Sequence, residues 1–305
     1  MSILSDINIS TCPAWHRWDP AAWLRVSGPD AFTFLQGQNT QDLRPLRAAG
    51  PASAYGLWLT VKGKVVGDGF VLRGAAPDEF WIGSYFTPAA TLLARLEAFL
   101  IADEVTLEDQ TSAWTGLSLL SAANDGPAAG PDAGPDAFRF AGRRIAAGNV
   151  EWVGRREVAA ALPPPAGREL DAAQMKLLRL DAGLPAIPEE FGPADLPQEA
   201  GLEEVAVSFQ KGCYLGQEVM ARLKAMGQVR RQLWRVAGEG NLIPVPGTPL
   251  RGAEDRPVGE VRGAAPDGRG GWIGLAMITL LHAPADGRLF LPGDARPSVH
   301  RRPAP

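Results

Sequence analysis

The residues best suited to chemistry lie in one short stretch, Ser208–Arg231, SFQKGCYLGQEVMARLKAMGQVRR. It gathers Lys211, Cys213, Tyr214, Gln217 and Glu218 around two glycines, Gly212 and Gly216. From Leu215 the apolar residues Val219, Met220, Leu223 and Met226 recur at helical spacing, and Gly227 stands where a helix ends. The glycines before the helix allow a tight bend or the close approach of a ligand. A cysteine at or just before a helix N-terminus, two residues from a lysine, has two influences that favour thiolate over thiol. A lone cysteine is more often a small buried hydrophobe. A core position, however, has no need of Lys, Tyr, Gln and Glu crowded around it.

The elements that must carry this stretch can be read in outline. Asp171 caps a helix through Asp181, with Met175, Leu178 and Ala182 on one face and Gly183 at its end. Leu184–Gln198 is rich in proline and glycine, reads as an irregular extended segment and delivers Glu199 to the central motif. Ser27-Gly-Pro-Asp30 reads as a helix start, with Ser27 as N-cap, Phe32 and Leu35 on the buried face and Gly37 closing the helix. The polar run Gln36, Gln38, Asn39 and Thr40 then reads as a solvated loop.

Tyr55 to Val61 and Val65 to Leu72 read as a hairpin about Lys62-Gly63, with Asp68 on the returning strand. A strand at Phe80–Ile82, a helix opened by Thr87-Pro88, and strands near Val105 and from Trp114 to Leu120 complete a split βαβ pattern. After Gly227, short alternating runs separated by proline and glycine turns fit a small β-barrel or sandwich. Ala122–Ala137 reads as a surface excursion, and Pro297–Pro305 as a frayed tail.

Composition narrows the function. The chain has 305 residues and a net charge of −4, which argues against general nucleic-acid binding. Cys12 and Cys213 are far apart, and His16, His282 and His300 are scattered, so a metal site built by this chain is not expected. No apolar run is long enough to span a bilayer, and the start, MSILSDINIS, lacks the pattern of a secretory signal, so a cytoplasmic chain is expected. Abundant Ala, Gly, Pro and Arg with five lysines fits a GC-rich coding bias, so arginine richness is not read as a functional signal.

Four stretches together are specific. KGCYLGQE (211–218), VSGPDAFTFLQGQNTQDL (26–43), TVKGKVVGD (60–68) and LRLDAGLPAIPEEFGPADLPQEAGL (178–202) resemble, in order and spacing, the YgfZ branch of the folate-binding family that also contains the glycine-cleavage T-protein. The resemblance runs over about residues 24–236. It implies an α+β, three-domain cloverleaf around a central folate hole. Residues 1–50 with about 121–225 would form the folate-binding α+β domain, about 51–120 a ferredoxin-like α+β domain, and about 228–305 a C-terminal β-barrel.

The function implied is tetrahydrofolate (or one-carbon derivative) binding in support of iron–sulfur cluster assembly or repair, including the cluster enzymes that modify transfer RNA. The partners implied are folate and iron–sulfur assembly or client proteins, with no direct nucleic acid, no membrane, and a monomer. Glu199 matches the family's Pro-x-Glu position, whose carboxylate contacts the pterin ring in relatives, where it can accept a charge-assisted pair of hydrogen bonds. Arg231, or its neighbour Arg230, matches an arginine near the same ring. Cys213 and Lys211 stand as the reactive pair, and Tyr214, Gln217 and Asp68 as further folate-site residues.

One departure matters: where T-proteins carry two adjacent aspartates, one of them catalytic, this chain has Gly67-Asp68. An aminomethyl or methyl transferase using Asp68 as the surviving acid is the first alternative. A non-catalytic, folate-regulated adaptor, with Arg296, Arg301 and Arg302 available for docking, is the second. The leading reading requires Cys213 and Glu199 to face one pteridine-sized cavity.

Overall fold

The computed structural model describes residues 7, 9, 12–47, 52–121, 136–146, 148–252, 255–294 and 298–302. The excursion expected at 122–137 lies almost wholly outside them, as does Arg296.

The first half of the chain runs through β1 (Ala14–Trp18), β2 (Ala22–Ser27), α1 (Ala31–Gln38), β3 (Ser53–Leu59), β4 (Val65–Arg73), β5 (Glu79–Ser84), α2 (Ala89–Glu97) and β6 (Thr106–Asp109). Strands β3-β4-β5-β2-β6 form one antiparallel sheet in that order. β5 and β6 flank β2 and are joined through α2, so the split βαβ unit is present. Its central strand, however, comes from upstream of residue 51. Ala22, Trp23, Leu24 and Val26 are all fully buried, so β2 lacks the polar-out alternation that marks a half-buried strand. α1 begins at Ala31 rather than near Ser27, which ends β2. Asp30 makes no cap bond to α1; its carboxylate accepts instead from the Glu104 N–H at 2.8 Å. α1 and α2 cover one face of the sheet through Phe34, Leu35, Leu92 and Leu96.

A second sheet, in the order β10-β1-β7-β9-β8, adds β7 (Trp114–Leu120), β8 (Ala137–Ala141), β9 (Asn149–Arg155) and, after α3 (Arg156–Ala161), β10 (Arg168–Glu169). It packs on the free face of the first sheet through Trp18, Trp23, Phe70, Trp81, Trp114 and Phe140. Residues 114–120 therefore belong to the second sheet.

α4 (Ala172–Asp181) starts with the expected capping box: Asp171 accepts from Gln174 N, and Gln174 accepts from Asp171 N. α5 (Glu203–Ala206) and α6 (Gln217–Met226) follow. Then come β11 (Arg231–Glu239), β12 (Pro249–Arg251), β13 (Pro257–Pro266), β14 (Gly271–Thr279), β15 (Arg288–Leu289) and β16 (Val299–Arg301). Their order is β12-β13-β14-β11-β16-β15. A bridge between Arg251 and Phe290, with N–H···O distances of 3.0 and 2.8 Å, joins the two ends and nearly closes a barrel.

The described part of the expected tail, residues 298–302, is thus tied in rather than frayed. β16 pairs with β11, the Arg302 guanidinium meets the Asp181 carboxylate, and Arg301 lies 4.3 Å over the Trp234 ring. Both arginines therefore have partners within the fold. α4 and the segment after it bind the three sheets together. Leu177 and Leu180 pack on the barrel's Ile273 and Leu275. Ile187, Phe191, Leu202 and Met220 pack on Leu57 and Leu59 of β3, Val65 of β4 and Met277 of β14.

Candidate functional site

The KGCYLGQE loop is a strap over the C-terminal end of α1. Ser208 N–H donates to Thr40 O at 3.0 Å and Leu215 N–H to Gly37 O at 3.1 Å. The Lys211 ammonium donates to three carbonyls left open where α1 ends, Gln36 at 2.5 Å, Asn39 at 2.6 Å and Gln41 at 3.0 Å. A cation at this end of a helix satisfies orphan acceptors and complements the dipole. Lys211 therefore anchors the loop, and its charge is turned toward α1. Gly216 (φ +84°) forms the N-cap of α6; a Cβ there would stand 2.7 Å from Thr60 O, so the turn needs glycine. Tyr214 is buried in the core shared with Leu57 and Leu59, and its N–H donates to Gln217 Oε1 at 3.3 Å. Gly227 (φ +69°) ends α6 with its N–H on Leu223 O, as the sequence predicts. Cys213 is exposed, three residues before the N-cap.

Burial lowers the Lys211 ammonium to about 8, with the nearby Asp42 charge opposing the shift. Below that value the folded and unfolded chains are both protonated and the burial penalty is complete. Between about pH 8 and the ordinary 10.5 the unfolded chain holds a proton that the folded chain has shed, so stability contributed by this site rises with pH. Urea unfolding of the protein and of Lys211→Met across pH 7.5–10.5 is expected to show this gain in the parent alone; parallel profiles would mean the ammonium is not desolvated.

Glu199 lies elsewhere. Its side chain is 5% exposed, on the turn between Pro197 and Ala200. Arg231, at the start of β11, grips it with Nε on Oε1 at 3.0 Å and Nη2 on Oε2 at 2.9 Å, and Leu196 N–H donates to Oε2 at 2.7 Å. Arg231 also reaches Asp195 at 3.1 Å, where Arg262 joins at 3.3 Å. Burial alone would lower the Arg231 guanidinium, but its hydrogen bond to Glu199 and the charges of Glu199 and Asp195 outweigh it and raise it. Arg230, the other candidate, is exposed.

Asp68 is the buried acid of the centre. It accepts from Tyr55 OH at 2.7 Å and Thr87 Oγ1 at 3.0 Å. Burial pushes its carboxyl above the usual range, against the pull of these hydrogen bonds and of Arg143. The Thr87 hydroxyl has a second acceptor, Ile187 O, also at 3.0 Å. A hydroxyl has one proton to give. A neutral Asp68 removes the competition, because its own O–H can donate to Thr87. Gly67 leaves no room for a second carboxylate: a Cβ there would stand 2.5 Å from Thr87 Cγ2.

Asp68 and Tyr55 line a cavity of about 20 Å³ where the sheets meet, with Tyr85, Arg143, Arg144 and Leu202 among its walls. Arg143 lies 4.3 Å over the Tyr55 ring and covers it. A separate groove of about 510 Å³ lies between α5 and α6, lined by Gln198, Glu203, Phe209 and Lys224 among others. Neither Cys213 nor Glu199 is in the wall of either, so the shared cavity expected for the two is not what the structure shows: Cys213 is exposed on the strap and Glu199 is buried in its pair with Arg231. The sequence reading missed Arg143 and Arg144; the adjacent pair after β8 was a signal, set aside as coding bias.

No family model matches the chain. Among curated proteins it is similar to three named tRNA-modifying protein YgfZ. That of Klebsiella pneumoniae is 31% identical over 249 residues, 76% of this chain and 74% of the relative. That of Edwardsiella ictaluri is 34% identical over 142 residues, 45% of this chain and 43% of the relative. That of Cronobacter sakazakii is 40% identical over 77 residues, 25% of this chain and 23% of the relative. Among solved structures, the glycine cleavage system aminomethyltransferase T of Bartonella henselae superposes with a TM-score of 0.80 at 16% identity, over 99% of this chain and 89% of that one. At that identity the likeness speaks for the fold, and it agrees with the α+β architecture and barrel described above. The extended match to the Klebsiella protein decides the family: this chain belongs to the YgfZ family and is built on the fold of the glycine-cleavage T-protein.

Proposed function

We propose that the chain binds a reduced folate in the cavity where its first two sheets meet and supports iron–sulfur cluster assembly or repair, with Cys213 as the exposed thiol that meets a partner. The observation that carries the folate reading is Asp68, a desolvated carboxyl held by Tyr55 and facing the central cavity. A pterin ring presents amino and N–H donors; the Asp68 carboxyl is an acceptor for such groups within the cavity, and Glu199, outside its present wall, would be reached only by a ring that opens the cavity further. Glu199 Oε1 accepts one bond from Arg231 and retains a lone pair for a second. A bound folate would supply one-carbon carrier chemistry; the residues of this chain would orient the ring and exclude water. A cavity of about 20 Å³ holds about one water. Entry of a pterin therefore requires Arg143 to leave the Tyr55 ring.

Calorimetric titration with tetrahydrofolate is expected to give saturable heat and thermal protection, with faster association in Arg143→Ala, which lacks the cover. Absence of both in the parent and the variant, at high ligand, removes the folate reading. The raised Asp68 carboxyl favours one alternative, a folate-dependent aminomethyl or methyl transferase using it as a proton donor. Turnover of an aminomethylated lipoyl donor would establish that alternative.

The iron–sulfur reading is supported by the placement of Cys213. A thiol on an exposed strap is open to a protein partner, whereas Asp68 and Glu199 are not. The family's relatives carry the name tRNA-modifying protein, and some enzymes of that chemistry hold iron–sulfur clusters, which are the clients proposed.

A further inference from the structure

Beside the central cavity lies a second one of about 300 Å³, and Tyr85, Phe86, Arg144 and Arg179 belong to the walls of both. Arg144 is 7% exposed. Its guanidinium carbon lies 4.2 Å from the Tyr85 ring centroid and 4.6 Å from that of Trp18. A guanidinium held over aromatic faces in this way still has N–H groups to give to acceptors. The carboxylate behind it does not take them. Glu151 already accepts from Trp18 Nε1, Tyr85 OH, Ser118 Oγ and Asn149 Nδ2. Its nearest approach to Arg144 is 3.8 Å, and Arg144 Nε has no hydrogen-bond partner.

The 300 Å³ cavity is walled on one side by α4, which brings Met175 and, exposed at the rim, Lys176. Two of the wall's acids are engaged: Glu190 takes both Arg179 nitrogens at 2.6 and 3.0 Å, and Asp19 meets Arg156 at 3.0 Å. Arg144 and Lys176 then face a single further carboxylate, Glu189. A buried guanidinium short of acceptors, in a cavity of small-ligand size, has the chemistry of a bidentate anion holder.

We infer that this cavity is an anion subsite, in which Arg144 and Lys176 hold a carboxylate or phosphate group while Met175 and Phe86 carry the rest of a small ligand. The inference does not depend on the folate reading.

The probes are glutarate and inorganic phosphate, titrated into the full chain with melting temperature and heat as readouts. One or both should bind saturably, and Lys176→Glu, a change at an exposed position, should weaken that binding about tenfold or more. Arg144→Gln should weaken it further where it folds. No saturable binding of either anion overturns the subsite, and so does binding that Lys176→Glu leaves unchanged. Tetrahydrofolate and a tail-less tetrahydropterin separate the two sources of the anion. Weakening of the folate alone by Lys176→Glu identifies the anion as the folate's glutamate tail; weakening of glutarate but of neither pterin identifies a free anion. Glutarate binding without folate binding keeps the subsite and removes the folate reading.

Discussion

Glu199→Ala is expected to lower stability by about 2–3 kcal/mol and to abolish tetrahydrofolate binding. The first effect follows from the pair it breaks. Removing the carboxylate leaves Arg231 with Asp195 for company and strands the Leu196 N–H, which turns the chain into the cavity wall at Leu202. The loss falls short of the about 3–5 kcal/mol typical of a fully buried pair, because Arg231 is 30% exposed and water can take over part of its solvation. The second effect separates two roles that alanine alone would confuse. Glu199→Gln keeps an acceptor for Leu196 N–H and nearly the same volume, but loses the charge that a pterin's donors would meet. Urea midpoints should place Gln between the parent and Ala. Calorimetry should show folate affinity in Gln reduced about tenfold or more. A Gln variant that binds folate like the parent would make Glu199 a brace for the turn and nothing else.

The contrast between what the sequence reveals and what it hides follows the range of the interactions. Local devices were legible. The Asp171–Gln174 box, the glycines bounding α6 and the Lys62-Gly63 hairpin each depend on residues within a few positions. The partners of Lys211 are 170–175 positions away, and no spacing within KGCYLGQE could show that its ammonium is turned to α1 rather than to Cys213. Strand β2 was hidden because burial on both faces erases period-2 alternation. The terminal strand was hidden for a different reason: three residues, Val299–Arg301, carry too little pattern, and their order comes from pairing with β11. The solvated loop expected at Gln36–Thr40 is in fact a junction. Asn39 and Thr40 are fully buried; Thr40 Oγ1 donates to Ala206 O and accepts from Leu57 N–H, joining α1, β3 and the approach to the motif loop.

That junction gives the Cys213 reading its sharpest consequence. Cys213→Ser is expected to leave stability within about 0.5 kcal/mol of the parent and folate affinity unchanged, while iron–sulfur enzyme activity in cells falls to the level of cells lacking the protein. The first two expectations rest on exposure and on distance in the fold. The sulfur lies on the outside of a strap held by Lys211, Ser208 and Leu215, and the central cavity is walled by other residues. A serine keeps size and polarity but is far less nucleophilic and a poorer ligand for soft metals than a thiolate. Lys211→Ala is the necessary companion, because it releases the strap without touching the thiol. If Cys213 must be presented at a fixed place to a partner, Lys211→Ala should impair the same enzymes and, unlike Cys213→Ser, should also lower the melting temperature. Undiminished enzyme activity in Cys213→Ser, with a stable and folate-competent protein, would detach the thiol from function and move the search to the polar walls around Asp68 and Arg144.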